Sequence, residues 1–187
     1  MHMSTDIHGY IEIRQDNGTW VTRGNISECV GRNYEMFGLL FGVRNYAHYD
    51  PIAPFRGIPL DVSDAFRSTR WEEDAHSDSW ITYQEIAAID WEHGKAPLAG
   101  QRISVRREGE SSPFMEFLAG GNLSAEDYAT LSRGETIIRN GISYCHEVHT
   151  YNDALSSDWS RLFERMKELS VQHGGPDRVR LVVWFDN

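Results

Sequence analysis

Polar and apolar residues alternate strictly along residues 5–13. The odd positions carry isoleucines or glycine, and the even positions carry Asp6, His8, Tyr10 and Glu12. Side chains on a β-strand alternate between the two faces of a sheet, so this pattern predicts a strand over 5–15 with one apolar face. Solvated strand faces usually carry Thr, Lys and Ser. A row of ionisable groups therefore indicates a candidate site for metal or acid–base chemistry.

Residues 178–186 show the same division into two faces. The odd positions are apolar, and the even positions include Arg180, Trp184 and Asp186. If this strand lies near the first one, Asp6 and His8 gain a cation and an aromatic ring as neighbours. The site would then lie on the open polar face of the sheet, under the loops at 44–63 and 74–80. Alternatively, Arg180 forms an ion pair with Asp6 or Glu12.

Between these two strands the pattern predicts hairpins and short helices. Asp16-Asn17-Gly18 is a turn signal that returns the chain along 19–22, and Asn140-Gly141 joins strands over 135–139 and 142–150. A further strand is predicted over 102–107. Capping residues and apolar periodicity predict helices over 34–43, over 63–72, from Thr82 to about 91, after Ser124, and from Ser156 or Ser157 to about 173. Residues 44–63 and 74–79 lack periodicity and are predicted to be loops.

Hairpins near both ends favour an α+β fold, with a mostly antiparallel sheet and helices packed on one face. The chain has 187 residues, which suits one domain. We expect this domain to span 3–187, because Met1 and His2 resemble a cloning remnant.

Composition narrows the functional classes. The net charge of −10 argues against non-specific binding to duplex nucleic acid, which depends on excess Lys and Arg. No apolar run approaches the ~18–20 residues that cross a bilayer, and no basic segment of a signal peptide opens the chain, so no membrane association is expected. Two cysteines match no metal spacing, which favours a cytoplasmic protein. Nucleotide-binding glycine loops, hydrolase elbows and zinc motifs are absent from the sequence.

The first strand is the strongest chemical candidate. Asp6 and His8 leave the same face only two residues apart, so they could share one divalent metal ion. Glu12 lies about 20 Å beyond Asp6 by strand rise, so it could act only further along a bound substrate. The alternative is a solvated strand face on which Glu12 pairs with an arginine such as Arg180.

Two other segments could complete such a site. On a strand over 142–150, Cys145, Glu147 and His149 would share one face, which makes His149 a candidate third metal ligand, although this hairpin could equally have one solvated face. His76, in the polar run before the Thr82 helix, is a candidate general base or third metal ligand. Trp80, which ends that run, could stack on a base or sugar, or could anchor the helix.

Arginines supply the candidate anion-binding groups. All but two of the 18 cationic residues are arginine, which fits either a GC-rich genome or bidentate binding of phosphate. Arg32 and Arg44 sit in a repeated Arg-Asn-Tyr triplet around the first predicted helix, either as part of its caps or aimed at one anion. Arg56 precedes a glycine in a proline-rich loop, where it either clamps an anion or pairs with Asp61. Arg180 and Trp184 on the last strand complete the predicted substrate-binding set.

Several landmarks together resemble a group of uncharacterised proteins of tailed phages and actinobacteria. They are Asp6-Ile7-His8, Gly31-Arg32-Asn33-Tyr34, Val43-Arg44-Asn45, Arg56-Gly57 with Pro59 and Ser63, His76-Ser77-x-Ser79-Trp80 and Val182-Val183-Trp184-Phe185-Asp186-Asn187. Members of that group usually carry Gly-Cys before the Asp-Ile-His, where this chain has Ser4-Thr5. The resemblance implies a phage or prophage accessory protein that acts on nucleotides or on host defence.

Three functional hypotheses follow. The first is a metal-dependent hydrolase of a phosphoester, in a nucleotide or nucleic acid, with Asp6, His8 and His149 as metal ligands and His76 and Glu12 as catalytic groups. The second is a binding module without chemistry that takes a small anionic ligand or nucleotide, or a protein, and counters host defence. The third is a purely structural role in which the polar face is buried against a partner.

Overall fold

A computed structural model describes residues 4–70, 73–97, 100–109, 111, 114–117 and 123–187. The strands are β1 (Asp6–Arg14), β2 (Trp20–Asn25), β3 (His76–Thr82), β4 (Arg102–Arg107), β5 (Phe114–Phe117), β6 (Ile137–Arg139), β7 (Ile142–Glu147) and β8 (Val179–Asp186). The helices are α1 (Tyr34–Phe41), α2 (Asp64–Thr69), α3 (Tyr83–Ala87), α4 (Ala125–Ser132), α5 (Tyr151–Ala154) and α6 (Ser157–Gln172), and a short 3₁₀ turn covers Pro176–Arg178. The predicted α+β class is confirmed.

The first sheet has the strand order β2-β1-β8-β3, and all its pairs are antiparallel. β1 and β8 are therefore neighbours, with Asp6 opposite Asp186, His8 opposite Trp184 and Glu12 opposite Arg180. Directly opposed residues of an antiparallel pair project from the same face. The two polar faces inferred from the sequence thus form one continuous surface.

The opposite, apolar face of this sheet carries the main core. Helices α1 and α6 pack on it through a set of fully buried side chains that includes Phe37, Phe41, Trp159, Met166 and Phe185. Gly9 is needed at the centre of β1, because its φ is +150° and a Cβ there would lie 2.1 Å from the carbonyl oxygen of Val182. That close approach holds β1 against β8.

The polar face is partly covered as well. Helix α2 and the residues before it pack an apolar cluster of Val62, Phe66, Val182 and Trp184 over the middle of β8. This cluster divides the polar face into two ends. One end contains His8 and Asp6, and the other contains Glu12 and Arg180.

The second sheet has the order β5-β4-β7-β6, with helix α4 against it. Ile103 and Leu131 are fully buried between them. The hairpin predicted at Asn140-Gly141 is confirmed, and both residues have positive φ, as a primed hairpin turn requires.

Several predicted boundaries need correction. The loop predicted over 74–79 is wrong from residue 76 onward, because His76 begins strand β3. Helix α3 ends at Ala87 instead of about 91, and helix α1 ends at Phe41, where Gly42 takes the left-handed conformation as its C-cap. Strand β7 ends at Glu147, so His149 lies beyond it. Within the described residues, no helix is both long enough and apolar enough to span a membrane.

Candidate functional site

A group of polar side chains lies where β1 begins and β8 ends. We name it the β1–β8 cluster and define it as Asp6, His8, Ser27, Arg32 and Asp186. The sheet register brings Asp6, His8 and Asp186 to the same face. Ser27 comes from the segment just after β2, and Arg32 from the residue before the N-cap of α1. Four separate segments of the chain therefore meet at this end of the sheet.

The ring of His8 is held on three sides. Its Nε2 lies 3.2 Å from Oδ2 of Asp186, and its Nδ1 lies 3.3 Å from Oγ of Ser27. The ring stacks on Trp184, with 5.5 Å between ring centroids and 24° between planes. His8 and Asp186 keep 18% and 25% of their side chains exposed. An imidazole that lies beside a carboxylate and a hydroxyl, with part of its side chain exposed, could act as a general acid–base.

Asp6 is held by Arg32 through two parallel hydrogen bonds. Nε and Nη2 of Arg32 donate to Oδ1 and Oδ2 at 3.0 and 2.8 Å. These bonds lower the pKa of the Asp6 carboxyl from its ordinary value and raise the pKa of Arg32, to which the charge of Asp186 adds a smaller contribution. Because Asp6 and Asp186 oppose each other, the charge of Arg32 offsets a like-charge contact between adjacent strands.

Arg44 reaches the same end of the sheet. Its Nε donates to Oγ1 of Thr5 at 2.8 Å, and its Nη2 donates to Oδ1 of Asn187 at 3.2 Å. The two Arg-Asn-Tyr triplets thus bring both arginines to one place. The predicted capping holds for the first triplet only, where Asn33 caps α1, since Asn45 bonds the backbone of Tyr49.

Glu12 and Arg180 form a separate ion pair at the other end of the polar face. Nε of Arg180 donates to Oε2 of Glu12 at 2.8 Å, and the backbone N–H of Ser63 donates to Oε1 at 2.9 Å. Both side chains are almost fully buried. The ion-pair alternative for Glu12 is therefore what the structure has, and Glu12 lies away from His8, beyond the apolar cluster.

Arg56 is also committed to a structural contact. It donates to both carboxylate oxygens of Glu85 and lies 5.0 Å from the ring centre of Trp80. The suggested pairing of Arg56 with Asp61 is wrong, because Asp61 accepts from Arg180 instead. Trp80 and Arg56 together anchor the 51–57 loop to α3.

The two remaining histidines of the predicted site lie elsewhere. His76 pairs with Phe185 and stacks on its ring, which places it on the core-facing side of the sheet, opposite His8. His149 is buried beside helix α1, with its Nε2 2.8 Å from Oε2 of Glu35. Arg102 pairs with the other oxygen of the same glutamate. The structure does not bring His76 or His149 to the β1–β8 cluster.

The donor atoms near Asp6 do not fit a metal ion as they are arranged. Both oxygens of Asp6 accept from Arg32, and both ring nitrogens of His8 face protein partners. Among the described residues, no group of three or more His, Cys, Asp and Glu side chains has an arrangement that could hold a metal. A divalent ion at Asp6 would have to displace Arg32.

Ser27 is the cluster residue that the sequence pattern does not reveal. It follows the irregular end of β2, and nothing in its neighbourhood repeats or alternates. Asp186 does appear on the even face of the last strand, but only the register of β1 against β8 places it beside His8.

Comparisons of this chain with protein-family models, with curated proteins and with solved structures find no match.

Proposed function

We propose that the β1–β8 cluster hydrolyses a small anionic phosphoester, with His8 as general acid–base. The observation that carries this proposal is the position of the His8 ring, between the Asp186 carboxylate and the Ser27 hydroxyl on the face of Trp184. Asp186 would orient the ring, since its Oδ2 lies 3.2 Å from Nε2 of His8.

Arg32 and Arg44 would bind the anion. Arg32 directs Nε and Nη2 at Asp6, so its Nη1 group is the edge that a phosphate would meet. Arg44 donates to the neutral oxygens of Thr5 and Asn187 at the same end of the sheet. Positive groups held in place before the substrate arrives stabilise the charge that develops in the transition state. A local pair of arginines can bind a small anion although the chain is acidic, because contact geometry outweighs screened long-range charge.

The test compares histidine variants in a hydrolysis assay. Substrates are bis-p-nitrophenyl phosphate, p-nitrophenyl phosphate and a nucleotide panel, since the phage and actinobacterial resemblance favours nucleotides. We expect His8→Gln to lower kcat at least about 100-fold, which is the usual contribution of a general acid–base. Asp186→Asn should lower kcat as well, with KM changing less.

His93 provides a matched control. It forms another histidine–aspartate pair, with Asp90 at 3.1 Å, but 80% of its side chain is exposed and it lies outside the cluster. His93→Gln should leave the rate unchanged. A rate that survives His8→Gln would overturn the proposal. Assays with EDTA and with Mn²⁺ test whether hydrolysis depends on a divalent ion. Unchanged rates support catalysis by His8 without metal. Rates that require the ion support the metal-dependent mechanism instead.

Binding without chemistry is the second candidate. The observation in its favour is that Asp6 and Asp186 are already paired within the protein, with Arg32 and His8. In that case a nucleotide should be recovered unmodified after incubation, and calorimetry should show binding that Arg32→Gln weakens.

A further inference from the structure

A groove of about 480 Å³ runs between the edge strand β2 and the N-terminal half of α6. Ile11, Ile26 and Leu162 form its floor, Arg23 and Gly24 belong to the strand side, and Arg161 belongs to the helix side. Its volume lies within the range of small-molecule sites, about 300–1,000 Å³. None of the residues that form the β1–β8 cluster lines it.

Gly24 lines the groove and adds no side chain to it. Gly24 lies opposite Ile11 in the sheet, and a Cβ built on it would meet Cδ1 of Ile11 at 3.7 Å, an ordinary contact. A larger side chain would therefore be tolerated by the strand and would project over the floor of the groove. Gly24 is not required by its backbone conformation, since it is not among the glycines with positive φ.

Two arginines on opposite walls lack carboxylate partners. Within the described residues, Arg161 makes no ion pair or side-chain hydrogen bond. Within the same residues, the side chain of Arg23 donates only to the carbonyl oxygen of Thr22. Several other arginines among the described residues do pair with carboxylates, as Arg165 at the rim does with Glu168. Of the acidic side chains in the groove, Asp158 already accepts from Gly31 N–H and the Ser156 hydroxyl, whereas Glu28 is exposed.

We infer that this groove binds a small amphipathic carboxylate, with its carboxylate between Arg23 and Arg161 and its apolar part over Ile11 and Ile26. A guanidinium matches the planar carboxylate through two parallel hydrogen bonds. An apolar floor below cationic walls selects a molecule that carries both an apolar group and a negative charge.

The test titrates the labelled protein with octanoate and follows backbone amide shifts by NMR. We expect saturable shifts at Gly24, Asn25 and Ile26. Acetate, which has the charge without the chain, and octylammonium, which has the chain with the opposite charge, should both fail to saturate. Arg161→Gln should weaken octanoate binding about tenfold, which corresponds to losing one charged hydrogen-bonding partner.

Gly24→Val fills the groove but keeps both arginines, so it tests the shape of the groove separately from its charge. It should abolish octanoate binding while leaving the fold intact, as judged by unchanged spectra of β8 amides. Arg106→Gln removes an exposed arginine outside the groove and should not change the affinity, and Glu28→Gln should strengthen binding. Absence of saturation with octanoate would overturn the inference. So would equal binding of octylammonium, or full binding in Gly24→Val. Failure of this test leaves the hydrolase proposal standing, because no variant here alters the β1–β8 cluster.

Discussion

Arg180 is held by more partners than a strand residue usually has. Besides Glu12, its Nη1 donates to Oδ1 of Asp61 at 2.8 Å, and its guanidinium lies 3.9 Å from the ring centre of Trp20. The indole N–H of Trp20 donates to the same aspartate. Together these contacts fasten β1, β2, β8 and the residues before α2, so one arginine links four segments.

Replacing Arg180 by methionine should destabilise the fold by about 3–5 kcal/mol, because the buried Glu12 carboxylate would lose its partner. Urea unfolding measures the change. The double variant Glu12→Gln/Arg180→Met should recover much of the loss, since no buried charge remains. Arg165→Met, in an exposed pair with Glu168, is the control and should cost less than about 0.5 kcal/mol. An equal loss in both arginine variants would contradict the argument.

The Asp6–Arg32 pair should make stability depend on acid pH. The folded-state pKa of Asp6 is lowered by Arg32, so the pair contributes above the ordinary aspartate pKa and is lost as the pH falls through the folded value. Asp6→Asn should therefore be less stable than the parent at pH 7, and the difference should begin to shrink below about pH 4 and vanish only below the lowered folded-state pKa. It should stay under about 1 kcal/mol, because both side chains are nearly half exposed. Unfolding free energies at several pH values measure it, and a difference independent of pH would argue against the pair.

At the scale of elements, strands with clean alternation could be predicted, and β3 could not. β1 and β8 keep a continuous apolar face, and their opposite face is polar except around Val182 and Trp184, so most of the pattern survives in the fold. In β3 the register shifts between His76 and Ser79, and Ser77 has a φ of +55°. Such a bulge interrupts the alternation of side chains between the two faces. The sequence of this strand therefore resembles that of a polar loop.

The candidate site, like the strands, could be predicted only where side chains alternate along the sequence. Alternation on β1 identified Asp6 and His8, and alternation on β8 identified the face that carries Asp186. The Glu12–Arg180 pair could be named as an alternative from the sequence, but the partners of Arg32 and Arg56 could not, because tertiary distances decide which of several acids each arginine meets. Arg56 shows this most clearly, since its partner Glu85 is also the capping-box residue of α3.

At the scale of the molecule, the second sheet contacts the first part of the fold through a few polar groups. Glu35 on α1 accepts from Arg102 on β4 and lies beside His149, and Lys95 forms an isolated bridge with Thr150. Gly100 sits so close to Ala47 that a Cβ would lie 1.7 Å from its carbonyl oxygen. Together with the apolar cluster of Leu39, Ala47, Tyr49 and Ala96, these contacts join the two parts of the fold.

Glu35→Gln should loosen this attachment while leaving the first sheet unchanged. It keeps the shape of the side chain but removes the charge that pairs with Arg102 and His149, so we expect amide hydrogen exchange in β4 and β7 to rise about tenfold. Amides of β1 and β8 should exchange at their original rates. Glu168→Gln, on the exposed side of α6, is the control. Uniform acceleration across both sheets would mean that Glu35 supports the whole fold instead.

The pairing of β1 with β8 also has a kinetic consequence. Glu12 and Arg180 are 168 positions apart in the chain, and β8 is the strand that joins β1 to β3. The β1–β2 hairpin can form early, but the sheet closes only after a long chain segment has searched for its partner, which slows folding. Until β8 docks, one edge of β1 is unpaired, and this strand carries Ile7, Ile11 and Ile13. Aggregation therefore competes with folding during that interval.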